Sequence, residues 1–209
     1  MLETLSTLIF AGVAIFVAFR LYSTLGRREG HMEAPPARDL KGRVVQADGS
    51  PAHLRAAFEG RAAAGLESIA AADSTFHPAT FVDGAKAAYG LIVTAFARGD
   101  LEALRPLLAD KVYDRYAEAI TGRQAREETV RTDIERIKSA EILEASHEAG
   151  LARVKVGFET ELATETTGKD GERISGDFSS LNTVRENWTF ERRTDSADPN
   201  WVLASVAAV

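Results

Sequence analysis

The side chains capable of chemistry are few and scattered. Four histidines, His31, His53, His77 and His147, are spread over the chain, and none stands at metal-ligand spacing from a carboxylate. Asp170-Gly171 offers too few oxygen ligands for a calcium loop. No glycine loop of the phosphate-cradling kind is present. With no cysteine, disulfides and thiolate metal sites are excluded. Glu127-Glu128 and the acidic positions that follow read as a solvated face meeting basic neighbours. The expectation is therefore no metal and no cofactor. Twenty-five basic against 31 acidic side chains, net −6, without a basic stripe, also argues against a nucleic-acid partner.

What could position such residues begins with a leader. Residues 1–22 read as a single N-terminal transmembrane helix: Leu5, Leu8, Ile9, Phe10, Val13, Ile15, Phe16, Val17 and Phe19 fill an uncharged run of about the 20 residues that a bilayer core requires. A cleaved secretory signal carries its positive charge before the apolar run, whereas Arg20, Arg27 and Arg28 follow it here. By the positive-inside rule the rest of the chain then lies in the cytoplasm, or on the matrix side in an organelle. Residues 23–51, punctuated by glycine and proline, read as a linker. Its basic lean near the membrane favours anionic lipid, or merely obeys the orientation rule. Residues 52–75 read as an amphipathic helix and a turn, with Leu54, Phe58, Ala62, Leu66 and Ile69 at helical spacing. That helix can pack on the folded domain, lie on the membrane or hold a partner.

Residues 76–209 hold the folded domain. Phe81, Ala85, Tyr89, Ile92 and Phe96 form one apolar stripe of a long helix, which Gly99-Asp100 stops. Leu101, Leu104, Leu107 and Leu108 make a short helix that Pro106 must bend or shorten. Asp110 opens a third, with Val112, Tyr116 and Ile120 on one face. The period then changes to two. Residues 130–144 alternate weakly, with Ile137, Ile142 and Leu143 expected inward; Val154, Val156, Phe158 and Leu162 share one face of a clear strand. Val184, Trp188 and Phe190 define another, and Trp201 opens the last. Helices first and strands after them predict an α+β fold, its helices packed on a curved four-stranded antiparallel sheet.

That layout resembles the nuclear-transport-factor-two-like (cystatin-like) cone. Within it, Phe76-His77-Pro78, Phe81-Val82-Asp83-Gly84-Ala85, Ala95-Phe96-Ala97-Arg98-Gly99-Asp100 and Leu104 to Leu108 resemble the opening of the Tim forty-four-like domain. Trp188-Thr189-Phe190, Arg192 and Asp198-Pro199-Asn200-Trp201 resemble its end. His77 stands where the family usually has Asp, which weakens the cap of the long helix. The resemblance implies a bacterial inner-membrane relative of the mitochondrial import translocase subunit, with its domain in the cytoplasm. The linker is too short to imply chaperone recruitment.

Enzymes of that broad fold place an acid or base inside the cone, where Asp114, Tyr89, Tyr113 and Tyr116 can point, but packed rings explain the tyrosines as well. No catalytic residue is assigned. Phe81, Tyr89, Ile92, Phe96, Tyr116, Ile120, Phe158, Trp188, Phe190 and Trp201 are candidates for an apolar pocket or for plain core. The expected function is a non-enzymatic adaptor or tether at the inner membrane, touching anionic lipid and a protein partner and linked to protein translocation. The alternative is an apolar-pocket protein that binds lipid or a small molecule, with latent enzymatic chemistry.

Overall fold

The computed structural model describes residues 60–209. The leader, the linker, and Leu54 and Phe58 lie outside the described residues. Among the described residues, no helix is long and apolar enough to cross a membrane.

Among the described residues four helices come first: α1 (Ala63–Ala72), α2 (Pro78–Arg98), α3 (Leu101–Leu104) and α4 (Asp110–Ala125). Each boundary has a local cause. Pro78 occupies the first turn of α2, where its missing N–H costs nothing, and His77 at the cap position makes no side-chain capping bond. Gly99, in the left-handed region at φ 73°, closes α2. Asp100 then caps α3 by accepting a 2.9 Å bond from the Ala103 amide. Pro106 cuts α3 to one turn and converts its continuation, Arg105–Leu107, into a 3-10 turn. Arg123 of α4 is buried, and it donates to the Ala97 carbonyl at 2.9 Å, satisfying an acceptor at the end of α2.

The strands are β1 (Thr129–Glu148), β2 (Leu151–Thr167), β3 (Arg173–Gly176), β4 (Asn182–Arg193) and β5 (Val202–Ala208). They pair antiparallel in the order β1-β2-β4-β5, so the architecture is α+β with an antiparallel sheet. The four-strand expectation missed β3, a short strand that pairs with the far end of β2 at Glu165–Thr167.

One face of the sheet is apolar. Ala152, Val154, Val156, Phe158 and Thr160 of β2, Trp188 and Phe190 of β4, and Leu203 of β5 are buried there against Tyr89, Ile92, Leu104 and Ile120 of the helices. The other face is laced with ion pairs: Glu159 meets Lys138 at 2.9 Å and Arg185 at 2.8 Å, and Glu161 meets Arg136 at 2.7 Å. Glu128 and Glu127 similarly meet Arg126 and Lys169.

β1 corrects one inward assignment. Its register slips between Ile134 and Arg136, Ile137 and Ser139, and Ile142 and Glu144. Each slip resets which parity faces in, so Ile134, Ile137, Ala140, Ile142 and Ala145 pack on the core at steps of three, three, two and three. Leu143 consequently faces out and is exposed. α1 lies on β1 through Leu66 and Ile69, both buried. The approach is so close that a Cβ on Gly65 would sit 1.8 Å from the Ala145 carbonyl oxygen.

Candidate functional site

Two places combine accessibility with specific side chains. The first is a half-open apolar cleft of about 440 Å³ beside α2. Its floor is an aromatic group: Phe81 and Trp201 meet edge to face at 4.8 Å between centroids, with Phe76 5.9 Å from each and Phe190 6.0 Å from Phe81. Ala85, Ala88 and the exposed Leu91 form the wall that α2 contributes. Beside the rings, Arg192 of β4 pairs with Asp73 at the end of α1, and its guanidinium lies 5.2 Å from the Trp201 centroid. These two side chains are only 11% and 14% exposed, so the pair is largely out of water. Burial pushes the Asp73 carboxyl up, but hydrogen bonds from Thr75 and Arg192 outweigh it and leave Asp73 below the ordinary carboxylate range. A second groove of about 780 Å³ adjoins the first through Ala87, Leu91 and Leu107 and runs on to Pro106 and Arg98.

The second place is a polar seam in the aromatic core. The Tyr89 hydroxyl and Thr160 Oγ1 are 3.0 Å apart, both residues fully buried. Trp188 donates its indole N–H to Glu186 Oε2 at 3.2 Å. Tyr89 packs against Trp188 at 4.6 Å and Phe158 at 4.9 Å, while Tyr116 packs against Phe96 at 4.7 Å. Burial raises the Glu186 carboxyl above its ordinary range despite the Trp188 donor. Burial raises the Tyr89 and Tyr116 hydroxyls as well, and the neighbouring Glu186 adds to both shifts.

The candidate pocket residues therefore divide. Phe81, Phe190 and Trp201 line the cleft. Tyr89, Phe158 and Trp188 join the seam, with Tyr116 and Phe96 partly buried beside it, and Ile92 and Ile120 are interior packing. Asp114 is exposed on α4 and does not enter the seam, and Tyr113 is half-buried beneath Arg105, 4.6 Å from its ring centroid. His77 is exposed at the rim of the cleft, and His147 Nε2 lies 3.0 Å from Thr194 Oγ1. Among the described residues, no group of three or more His, Cys, Asp or Glu could hold a metal.

Glu186 and Thr160 escaped the sequence reading, although the signal was present. Glu186 shares its parity with Val184 and Trp188, and Thr160 shares its own with Phe158 and Leu162, so both had to face inward.

Phe76, His77, Arg192 and Pro199-Asn200-Trp201, distant in sequence, meet at the cleft. The family model for the Tim44-like domain matches residues 62–208. The chain belongs to the Tim44-like domain family. The match takes in α1 as well as the helices and sheet that follow. Solved structures with a similar backbone include the intermembrane space region of chloroplast protein ARC6, at 9% identity and TM-score 0.46, over 61% of this chain and 95% of that one. Another is a periplasmic fragment of TraM, at 12% and 0.38, over 60% and 95%. A third is an NTF2-like protein from Cytophaga hutchinsonii, at 18% and 0.36, over 61% and 97%. No curated protein matches the chain.

Proposed function

We propose that this Tim44-like chain is a non-enzymatic adaptor, held at a bacterial inner membrane by residues 1–22, whose cytoplasmic domain binds an apolar segment of a protein or lipid partner. The observation that carries the reading is the cleft. Segments from the α1–α2 turn, α2, β4 and the turn before β5 converge on one apolar cleft, whose floor leaves Trp201 half-buried and whose wall leaves Leu91 exposed. The uncharged run, the arginines after it and the family membership support the membrane placement and a link to protein translocation.

The test uses the full-length chain in its own membrane. A photo-crosslinking residue in place of Leu91 is expected to label a protein or lipid, and Ala88→Trp, which fills the cleft, is expected to abolish that labelling. Alkaline carbonate should leave the chain with the membrane, and detergent should release it. Release by carbonate, or labelling indifferent to Ala88→Trp, would overturn the proposal.

A second reading, a ligand-binding protein with latent acid–base chemistry, draws on Glu186 between two tyrosines. Turnover that disappears with Glu186→Gln would favour it over the adaptor.

A further inference from the structure

Among the described residues, α2 turns one face to open solvent. Phe81, Tyr89 and Ile92 set its core side; at 3.6 residues per turn, Asp83, Ala87, Gly90, Leu91, Thr94 and Arg98 fall on the opposite side, within about 100° of one another. Leu91 is 59% exposed there, and no other large apolar residue of the described helices is exposed. It overhangs the second groove, whose far wall is Ala103, Pro106 and Leu107. Gly90 lies beside it. A methyl group on Gly90 would meet no atom within 4 Å outside the helix's own backbone, so no contact among the described residues requires a glycine. Glycine inside a helix is costly, and the space it leaves fits a side chain arriving from outside.

The charges on this face say which chain arrives. Asp83 and Arg98 lie equally far on either side of Gly90-Leu91, about 11 Å along the axis at 1.5 Å per residue. The Asp83 side chain is 80% exposed and only loosely paired, with Lys86 at 3.7 Å. Arg98 is exposed, and among the described residues its side chain makes no ion pair. A second α2 running antiparallel across this one sets Asp83 beside the partner's Arg98 and Arg98 beside the partner's Asp83. The same crossing lays each Leu91 over the opposing Gly90 and brings Ala87 to Thr94. That order of charge, knob and hole is complementary to itself, which an unrelated apolar segment or a lipid chain would match only by coincidence.

We propose that this face of α2 is an isologous contact between two copies of the chain, related by a twofold axis between Gly90 and Leu91. Leu91 inserts beside the opposing Gly90, and the two symmetry-related pairs of Asp83 with Arg98 fix the register. The contact leaves the floor of the cleft free, since Phe81, Ala85 and Ala88 lie further round the helix. It is therefore a surface additional to the one that carries the adaptor reading.

The chain has no cysteine, so any disulfide comes from residues that are introduced. Full-length chains carrying Ala87→Cys and others carrying Thr94→Cys are made in one cell and oxidised in the fresh lysate, before detergent is added. Together they should form a linked dimer. Either variant alone places its two sulfurs beyond disulfide reach, and it should link about tenfold more slowly, as should Glu118→Cys on the exposed face of α4. Asp83→Arg or Arg98→Asp should slow the linkage about tenfold, and both changes in one chain should restore it, because the exchange preserves the two pairs. Gly90→Leu fills the open space with a better helix former, so that variant should melt no lower than the parent and lose the linkage. A mixed pair no faster than Glu118→Cys, charge reversals that have no effect or are not rescued by the exchange, linkage that persists in Gly90→Leu, or capture at Thr94 of another protein in place of a second copy overturns the contact. A photo-crosslinker at Leu91 should also yield an adduct of twice the chain's mass, which Ala88→Trp spares. The adaptor reading is judged on adducts to other molecules, so either proposal can fail alone.

Discussion

Gly65 of α1 rests directly on the Ala145 carbonyl of β1, so near that a single added methyl group would fall 1.8 Å from the oxygen. That contact sets how closely the first helix seats on the sheet. Gly65→Ala forces α1 to lift, and the expected cost is about 1–3 kcal/mol, as for other overpacked contacts. Hydrogen exchange should localise the change: faster exchange in α1 and at the C-terminal end of β1, with β4 and β5 unaffected. Unchanged exchange at Leu66 and Ile69 would show that the contact is less constraining than its geometry implies.

The bond between Tyr89 and Thr160 is closed off from water, so removing one partner strands the other. Tyr89→Phe should destabilise the fold by about 1–3 kcal/mol, the desolvation penalty of an unsatisfied buried hydroxyl. Adding Thr160→Val should recover much of that loss, since two apolar groups of similar shape replace the pair. Chemical denaturation of both variants and of each single change gives the coupling energy; additivity would contradict the bond.

Glu186 makes stability depend on pH in one direction. Its carboxyl is raised in the folded chain, so the fold holds the proton more tightly than the unfolded chain does. That contribution is fully present below the ordinary carboxylate value and is lost as pH rises through the raised one. Glu186→Gln cannot lose a proton there. The melting temperature of the variant relative to the parent should therefore climb from pH 4 upward and level off once Glu186 is ionised. A flat difference across that range would contradict a buried, cation-free carboxylate.

Asp73 has the opposite sign. Its carboxyl is lowered in the folded chain, so its contribution is present above the ordinary carboxylate value and disappears as pH falls through the lowered one. Asp73→Asn should cost about 1–3 kcal/mol at neutral pH through the loss of a charged partner for Arg192. The parent should converge on the variant as the solution is acidified. Denaturant midpoints from pH 7 down to pH 2 check the convergence.

Much of the architecture was legible because period and punctuation agreed. The stripe from Phe81 to Phe96, Gly99-Asp100 as a stop and Pro106 as a break each act within a few residues, and the helices follow them. β1 was only faintly legible because its three register slips scramble the alternation, and Leu143 was placed on the wrong face for that reason. β3 was not legible at all: RISG is too short for a period to show and is held by pairing with β2. The cleft was half legible. Its aromatic residues stand out in the sequence, but the partnership of Asp73 with Arg192 joins two segments that only the fold brings together. Glu186 could have been placed by parity, yet a charged residue between apolar ones invites the assumption that it faces water.

The slips in β1 also govern how the molecule meets copies of itself. A strand of 20 residues at the border of a sheet would ordinarily offer a long row of free amides and carbonyls for another chain to zip onto. Among the described residues that border has no strand beside it, and three interruptions break the row into short, differently aimed segments, the kind of irregularity that discourages a straight guest strand from pairing.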